Sequence, residues 1–343
     1  MPLVARRGAL ATPGPCVDNG RARRSTAGEE PALTLLFFTH PVGLLHEPGH
    51  GHPEAPMRLR MILRALETEP VPGLERREAP LATMEQIQRV HPARYTQRIL
   101  AAVPERGFVQ VDGDTVLNPY SGEAALRGSG GACAAVDAVL GGEARRAFCA
   151  MRPPGHHAEA MEAMGFCMFN HVAVAAMQAK YVHGLSRVAI FDFDVHHGNG
   201  TQNTFWDDPD TLYVSTHQSP LYPGTGHLGE RGIKGNILNR PLPPGTGSEA
   251  WRRVVERDVL PAIDRWRPEL ILLSAGFDAH AEDPLASFNL FEEDFAWVTR
   301  ELATLAATHA QGRIVSILEG GYDPGALARS VLAHLKALAE RAD

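Results

Sequence analysis

Cysteine is scarce in this 343-residue chain, and none of the four (Cys16, Cys133, Cys149, Cys167) stands in a CxxC pair. That excludes a disulfide framework of the small secreted kind and argues for reduced thiols in a cytoplasmic protein. Long apolar runs are missing too. No stretch approaches the roughly 20 residues of a membrane span, and no apolar h-region marks a signal peptide. A basic excess is also absent: the formal net charge is −7, which argues against a direct nucleic-acid binder. No linker-like change of composition and no internal repeat interrupts residues 33–343, so a single domain is expected there. With 44% hydrophobic residues, it has ample material for a core. Residues 1–32 differ. They carry Arg6, Arg7, Arg21, Arg23 and Arg24 against Asp18, Glu29 and Glu30. They read as a disordered N-terminal extension; an organellar presequence or a nucleic-acid contact is the alternative.

What is present is one pattern repeated: a short apolar run, then a polar cluster. Ala147–Met151 leads into Arg152-Pro-Pro-Gly-His-His-Ala158, and Val188–Phe191 into Asp192-Phe-Asp-Val-His-His-Gly-Asn-Gly200. Leu270–Leu273 leads into Ser274-Ala-Gly-Phe-Asp-Ala-His280, and Ile314–Leu318 into Glu319-Gly-Gly-Tyr-Asp323. Thr211–His217 reads as a further strand. Helical patterns fill the intervals at Ser121–Leu140, Asn170–Tyr181, Ser248–Trp266, Glu292–Thr308 and Pro324–Glu340, the last with Asp323 as N-cap. This alternation predicts an α/β domain with a central, mostly parallel sheet flanked by helices. Such sheets bind ligands beyond the carboxyl ends of their strands, where the polar clusters fall.

The chemistry of the clusters points to a metal-dependent hydrolase. If the segment stays extended, Asp192, Asp194 and His196 alternate onto one face. Oxygen and nitrogen donors converging from one loop suit a zinc-like ion. Asp194 and His196 taken singly would read as a capped strand end beside a core histidine; Asp278 and the tandem histidines outweigh that reading.

These motifs resemble the histone deacetylases, especially the class II branch and its bacterial relatives, the histone-deacetylase-like amidohydrolases. The resemblance runs from His52-Pro-Glu-Ala-Pro-Met-Arg58 to the end of the chain, with Gly165-Phe-Cys-Met-Phe-Asn170 among five motifs in the family's order. It implies a single-domain arginase/deacetylase-like fold. It also implies zinc-dependent hydrolysis of an N-acetyl amide to acetate and free amine, with Asp194, His196 and Asp278 as zinc ligands. His157 would be general base and then acid, His156 its electrostatic support, and Asp192 and Asn199 the groups orienting them. Tyr322 would hydrogen-bond the scissile carbonyl. Gly165, Phe166 and Tyr222 would line the slot for the lysine methylenes, with Asp114 at its rim and Arg58 beneath, near the acetate-release path or as a structural ion-pair partner. Asp192, Asp194, His196, Ser215 and Thr216 resemble a structural potassium site, and Phe205, Asp208 and Thr211 fall at a second.

Asn199 follows the class II pattern, where class I carries aspartate. His171 stands where many relatives have asparagine and reads as packing behind the site. Leu285 stands near the place where polyamine deacetylases carry a glutamate. The expected partner is therefore an acetylated lysine peptide or protein, with an acetylated polyamine or other small amide as the alternative. Arginase chemistry is disfavoured, because a two-metal site needs further bridging carboxylates. The loop Gly43–Pro56, with His46, His50 and His52, reads three ways: as the pocket mouth, as a homo-oligomer contact, or as an ordinary loop.

Overall fold

A computed structural model describes residues 34–341. Ten strands appear in it: β1 Leu35–Thr39, β2 Leu74–Glu78, β3 Val109–Gln110, β4 Val116–Leu117, β5 Arg146–Cys149, β6 Val188–Asp192, β7 Thr211–Gln218, β8 Ile237–Leu242, β9 Leu270–Ala275 and β10 Ile314–Leu318. Eight of them form one sheet in the order β2-β1-β5-β10-β9-β6-β7-β8. Every pairing in it is parallel. The short strands β3 and β4 form a separate antiparallel ribbon.

The period-2 alternation of each central strand explains why both faces must be covered. In β6, Val188 and Ile190 enter one core, while Ala189 and Phe191 enter the other; in β9, Leu270 and Leu272 oppose Ile271 and Leu273 in the same way. Fully burying each large apolar side chain is worth about 2 kcal/mol. Helices Ser121–Leu140 and His171–Tyr181 cover the first face, and Met57–Thr68, Glu292–His309 and Pro324–Ala339 the second. Edge strand β2, Leu-Glu-Arg-Arg-Glu, is polar and largely exposed, which discourages pairing with another chain.

The sequence-predicted elements lie where expected, with small shifts at their ends. Asn170 is the N-cap rather than the first residue of its helix, accepting from Ala173 N through its side chain, and Asp323 caps the last helix in the same manner. The single helix expected over Ser248–Trp266 is interrupted by a π turn at Val255–Val259, just before Pro261, which has no N–H to continue the ladder. The reading of residues 1–32 as an extension lies outside the described residues. Among the described residues, no helix is long and apolar enough to cross a membrane.

Candidate active site

Sheet order brings the polar clusters together. Strands β5, β10, β9, β6 and β7 are consecutive neighbours, so the loops after them meet at one end of the sheet. Asp192 closes β6, whereas Asp194 and His196 lie beyond it in a loop. The extended, shared-face geometry expected for the three is therefore not kept. Asp194 N donates to Asp192 Oδ1 (3.2 Å) and His196 N to Asp194 Oδ1 (2.9 Å). Two successive side-chain-to-backbone turns thus fold the segment after Asp192.

Asp194, His196 and Asp278 form a buried cradle, with one donor atom from each within 4.8 Å of the others. His196 Nδ1 is 3.0 Å from Asp278 Oδ2 and 3.2 Å from Asp194 Oδ1. Tetrahedral ligands about 2.0–2.1 Å from zinc would sit roughly 3.3 Å apart. Val195 N (2.8 Å) and Gly320 N (2.8 Å) hold the carboxylates in place. A β-carbon at Gly320 would overlap the Asp278 carboxylate, so the loop approaches this closely only with glycine there. The electrostatics ask for a cation. Burial, with Asp194 beside it, pushes the Asp278 carboxyl up to about 7. Burial would lower His196, but its two carboxylate partners hold it up to about 10. A divalent ion displacing that proton fits this donor set.

The tandem histidines have unequal partners. His156 Nδ1 is 3.0 Å from Asp192 Oδ2, which also accepts from Tyr213 Oη (3.1 Å). His157 Nδ1 is 2.9 Å from Asn199 Oδ1. Burial lowers both rings, but the Asp194 and Asp192 carboxylates carry His156 well above the ordinary range. His157 lacks a carboxylate partner; burial and the neighbouring His156 and His196 leave it well below. Environments that separate two adjacent titratable groups in this way are the mark of an acid–base pair.

Tyr322 reaches the cradle from the loop after β10. Its N–H donates to Asp283 Oδ2 (2.6 Å), and the Arg58 guanidinium lies 4.9 Å from its ring centre. Burial keeps its hydroxyl protonated, far above the usual phenol range. Phe166 packs edge-on to Tyr322 (5.7 Å) and Tyr222 edge-on to His157 (5.1 Å), so aromatic rings flank the centre. Gly165 has φ +55°, and a β-carbon there would strike the His157 ring.

The Asp114 carbonyl accepts from His52 Nε2 (3.1 Å). His52 in turn packs edge-on to Phe166 (4.8 Å), which sets the loop Gly43–Pro56 against that ring. Leu285 is half-buried, and its N–H donates to Asp283 Oδ1 (3.0 Å), close behind Tyr322. Cys167 is buried with its thiol pushed well up by burial, and Cys133 and Cys149 are core residues. His171 joins Ser129 (2.8 Å) to the Pro153 carbonyl (3.1 Å), as its packing role suggested.

The residues of both potassium expectations lie on or next to β7. Ser215 and Thr216 lie on β7 beside Asp192, whose register partner is Ser215. Around the second position, the Phe205, Asp208 and Thr211 carbonyls all accept from Asn236 Nδ2 (2.8, 3.0 and 3.1 Å). The Asn236 amide thus gathers the three carbonyls expected around a second potassium ion.

Sequence reasoning missed a buried ion cluster under the site. Glu54 pairs with Arg152 through two bonds (2.6 and 2.7 Å), with Arg58 (3.0 Å) and with His46 (3.2 Å). Arg58 donates onward to Gly321 O (2.6 Å) and to Glu319 O, in the loop after β10 that carries Tyr322. The Glu319 carboxylate accepts from Gly155 N (2.7 Å), His156 N (3.1 Å) and Ser274 Oγ (2.9 Å), joining the loops after β5 and β10 to the end of β9. Each of these charges stood inside or beside a motif, but local sequence gave no sign of its partners.

Fold and site together define a class: a parallel α/β enzyme domain with a buried Asp–His–Asp cradle, paired histidines and an inward tyrosine at its strand ends. The family follows from comparison. The model of the histone deacetylase domain matches residues 52–338, and the chain belongs to that family. It is 43% identical over 298 residues to the histone deacetylase-like amidohydrolase of Pseudomonas aeruginosa, covering 85% of this chain and 77% of that one. It is 39% identical over 323 residues to histone deacetylase 14, chloroplastic, of Arabidopsis thaliana (88% and 76% covered). The crystal structure of the HDA15 HD domain superimposes with a TM-score of 0.84 at 32% identity, covering 90% of this chain and 89% of that one. The chain thus has the deacetylase fold and is an enzyme of a hydrolytic family.

Proposed function

We propose that residues 33–343 form a zinc-dependent deacylase that cleaves acetyl-lysine in a peptide or protein to acetate and free amine. The observation that carries this reading is the unequal histidine pair set beside a cation-demanding cradle and a protonated tyrosine. Asp194, His196 and Asp278 would hold the zinc ion, which when bound supplies Lewis acidity at the amide carbonyl. His157 donates from Nδ1 to Asn199 and so keeps a lone pair at Nε2. That nitrogen takes the proton of the attacking water and passes it to the departing amine. His156, hydrogen-bonded to the Asp192 carboxylate, supplies positive potential next to it. The Tyr322 hydroxyl donates to the carbonyl oxygen as negative charge develops there. Phe166, Tyr222 and Gly165 give the slot apolar walls for four methylenes, and Asp114 grips substrate at the rim. A potassium ion at Asp192, Asp194, His196, Ser215 and Thr216 would brace the β6 loop.

Leu285 favours acyl-lysine, because it offers no charge to a polyamine's second amine. Asp112 and Asp114 beside Tyr222 favour the cationic alternative. A turnover panel on zinc-loaded protein separates them, comparing acetyl-lysine peptides with acetylputrescine and acetylspermidine. Higher kcat/KM for the peptides supports the proposal. Preference for the polyamines transfers the same machinery to a small-molecule substrate, and no turnover of either sinks the proposal.

A further inference from the structure

We propose that Glu159 is a positioning residue for His157, acting through the side-chain amide of Asn199. The inference rests on the reading of His157 as the base. A carboxylate opposite Nδ1 would present oxygen whichever way it turned. An asparagine has two different ends, and only Oδ1 can accept from Nδ1–H. If the amide turned over, Nδ2 would face His157 Nδ1 and favour the tautomer protonated at Nε2, which cannot take a proton from water.

What decides the orientation is the partner of the other end. Asn199 Nδ2 donates to Glu159 Oε1 at 2.8 Å. Its remaining contacts are weaker: the Met164 sulfur at 3.3 Å and the His157 carbonyl at 3.4 Å. Glu159 is thus the one charged acceptor on that nitrogen, and charge-assisted bonds are the stronger kind. The same Oε1 accepts from Asn203 Nδ2 (2.8 Å), one helical turn beyond Asn199. The backbone of Glu159 is fixed as well. Its carbonyl accepts from His91 Nδ1 (3.1 Å), while His91 Nε2 accepts from Asn170 N (2.8 Å), which sets the His91 tautomer.

Glu159 also lies on the wall of a cavity of about 890 Å³, together with Arg98, Asp112 and Asn203. None of the site histidines lines that cavity, nor does Tyr322. The side chain of Glu159 meets the site at Asn199.

The test uses the full-length zinc-loaded protein and whichever acetylated substrate it turns over. Glu159→Ala should lower kcat about tenfold with KM and zinc content unchanged. Glu159→Gln keeps an acceptor oxygen and should restore most of that loss. In an Asn199→Asp background both side-chain ends are oxygens, so Glu159→Ala should there cost nothing. An undiminished kcat in Glu159→Ala would overturn the proposal, as would an equal loss in the Asn199→Asp background, which would mean a merely structural role. Imidazole nitrogen NMR on labelled protein reads the same point without turnover. His157 should be protonated at Nδ1 in the wild type and shift toward Nε2 in Glu159→Ala. An unchanged tautomer refutes the relay even if no substrate is cleaved, and a lack of substrate alone indicts only the proposed function.

Discussion

Replacing Glu54 by glutamine removes one charge from a site with no water to replace it. Glu54 and Arg152 are fully buried and Arg58 nearly so, at 0, 0 and 1% exposure. Burial would raise the Glu54 carboxyl, but Arg152, His46 and Arg58 hold it well below the carboxylate range. Its stabilisation is therefore present above an unfolded value near 4.5 and is lost as pH falls below it. In Glu54→Gln, two guanidinium groups stay buried with no counter-charge, and the new NH2 faces an Arg152 donor. Breaking a buried pair from one side costs about 3–5 kcal/mol. For a domain of this size that lowers Tm by roughly 10 °C. The contrast is Glu249→Gln, which breaks an exposed pair with Arg253 (90 and 64% exposed, respectively) and should cost under about 0.5 kcal/mol. Calorimetry with urea melts at pH 7 measures both variants. Activity should fall as well, at full zinc content, because Arg58 loses an anchor while holding Gly321 O ahead of Tyr322. A Glu54→Gln protein melting within about 2 °C of wild type, with unchanged m-value, would refute the reasoning.

Acid should destabilise the fold before most carboxylates titrate. Burial holds His91 and His171 down at about 4 and His334 at about 3, so below pH 6.5 the unfolded chain binds protons that the native state refuses. Stability then falls with acidification by about 1.4 kcal/mol per pH unit for each histidine near pH 5; His334→Gln should flatten the urea-melt slope by that amount, and an unchanged slope would contradict it. Tyr322→Phe should lower kcat by about 10²–10³ with KM nearly constant, whereas a loss confined to KM would remove its oxyanion role. Asp278→Ala should abolish stoichiometric zinc by elemental analysis while circular dichroism stays native, and retained zinc would displace Asp278 from the ligand set.

The sequence by itself determined the local features. Apolar runs of four or five residues ending in polar clusters marked the strand ends, because burial on both faces demands continuous apolar residues and the loops beyond need not. Asp323 announced its helix through the capping bond that its side chain makes three residues on. Residue types and order also carried the family, and with it the expectation that Asp194, His196, Asp278, His156, His157 and Tyr322 would meet. Tertiary structure decided what depends on distant partners. Alternation suggested one extended face for Asp192, Asp194 and His196, yet turns after β6 set Asp192 on His156 and His196 against Asp278. β2 was illegible because an exposed edge strand reads as polar as a loop. Glu54 and Arg152 lie 98 positions apart in the chain. Their pairing follows only once β1 and β5 are neighbours. Orientation of the Asn199 amide likewise depends on Glu159, set from another loop. Hydrophobic patterning acts over a few residues, but a buried charge is satisfied by whatever the sheet order places against it.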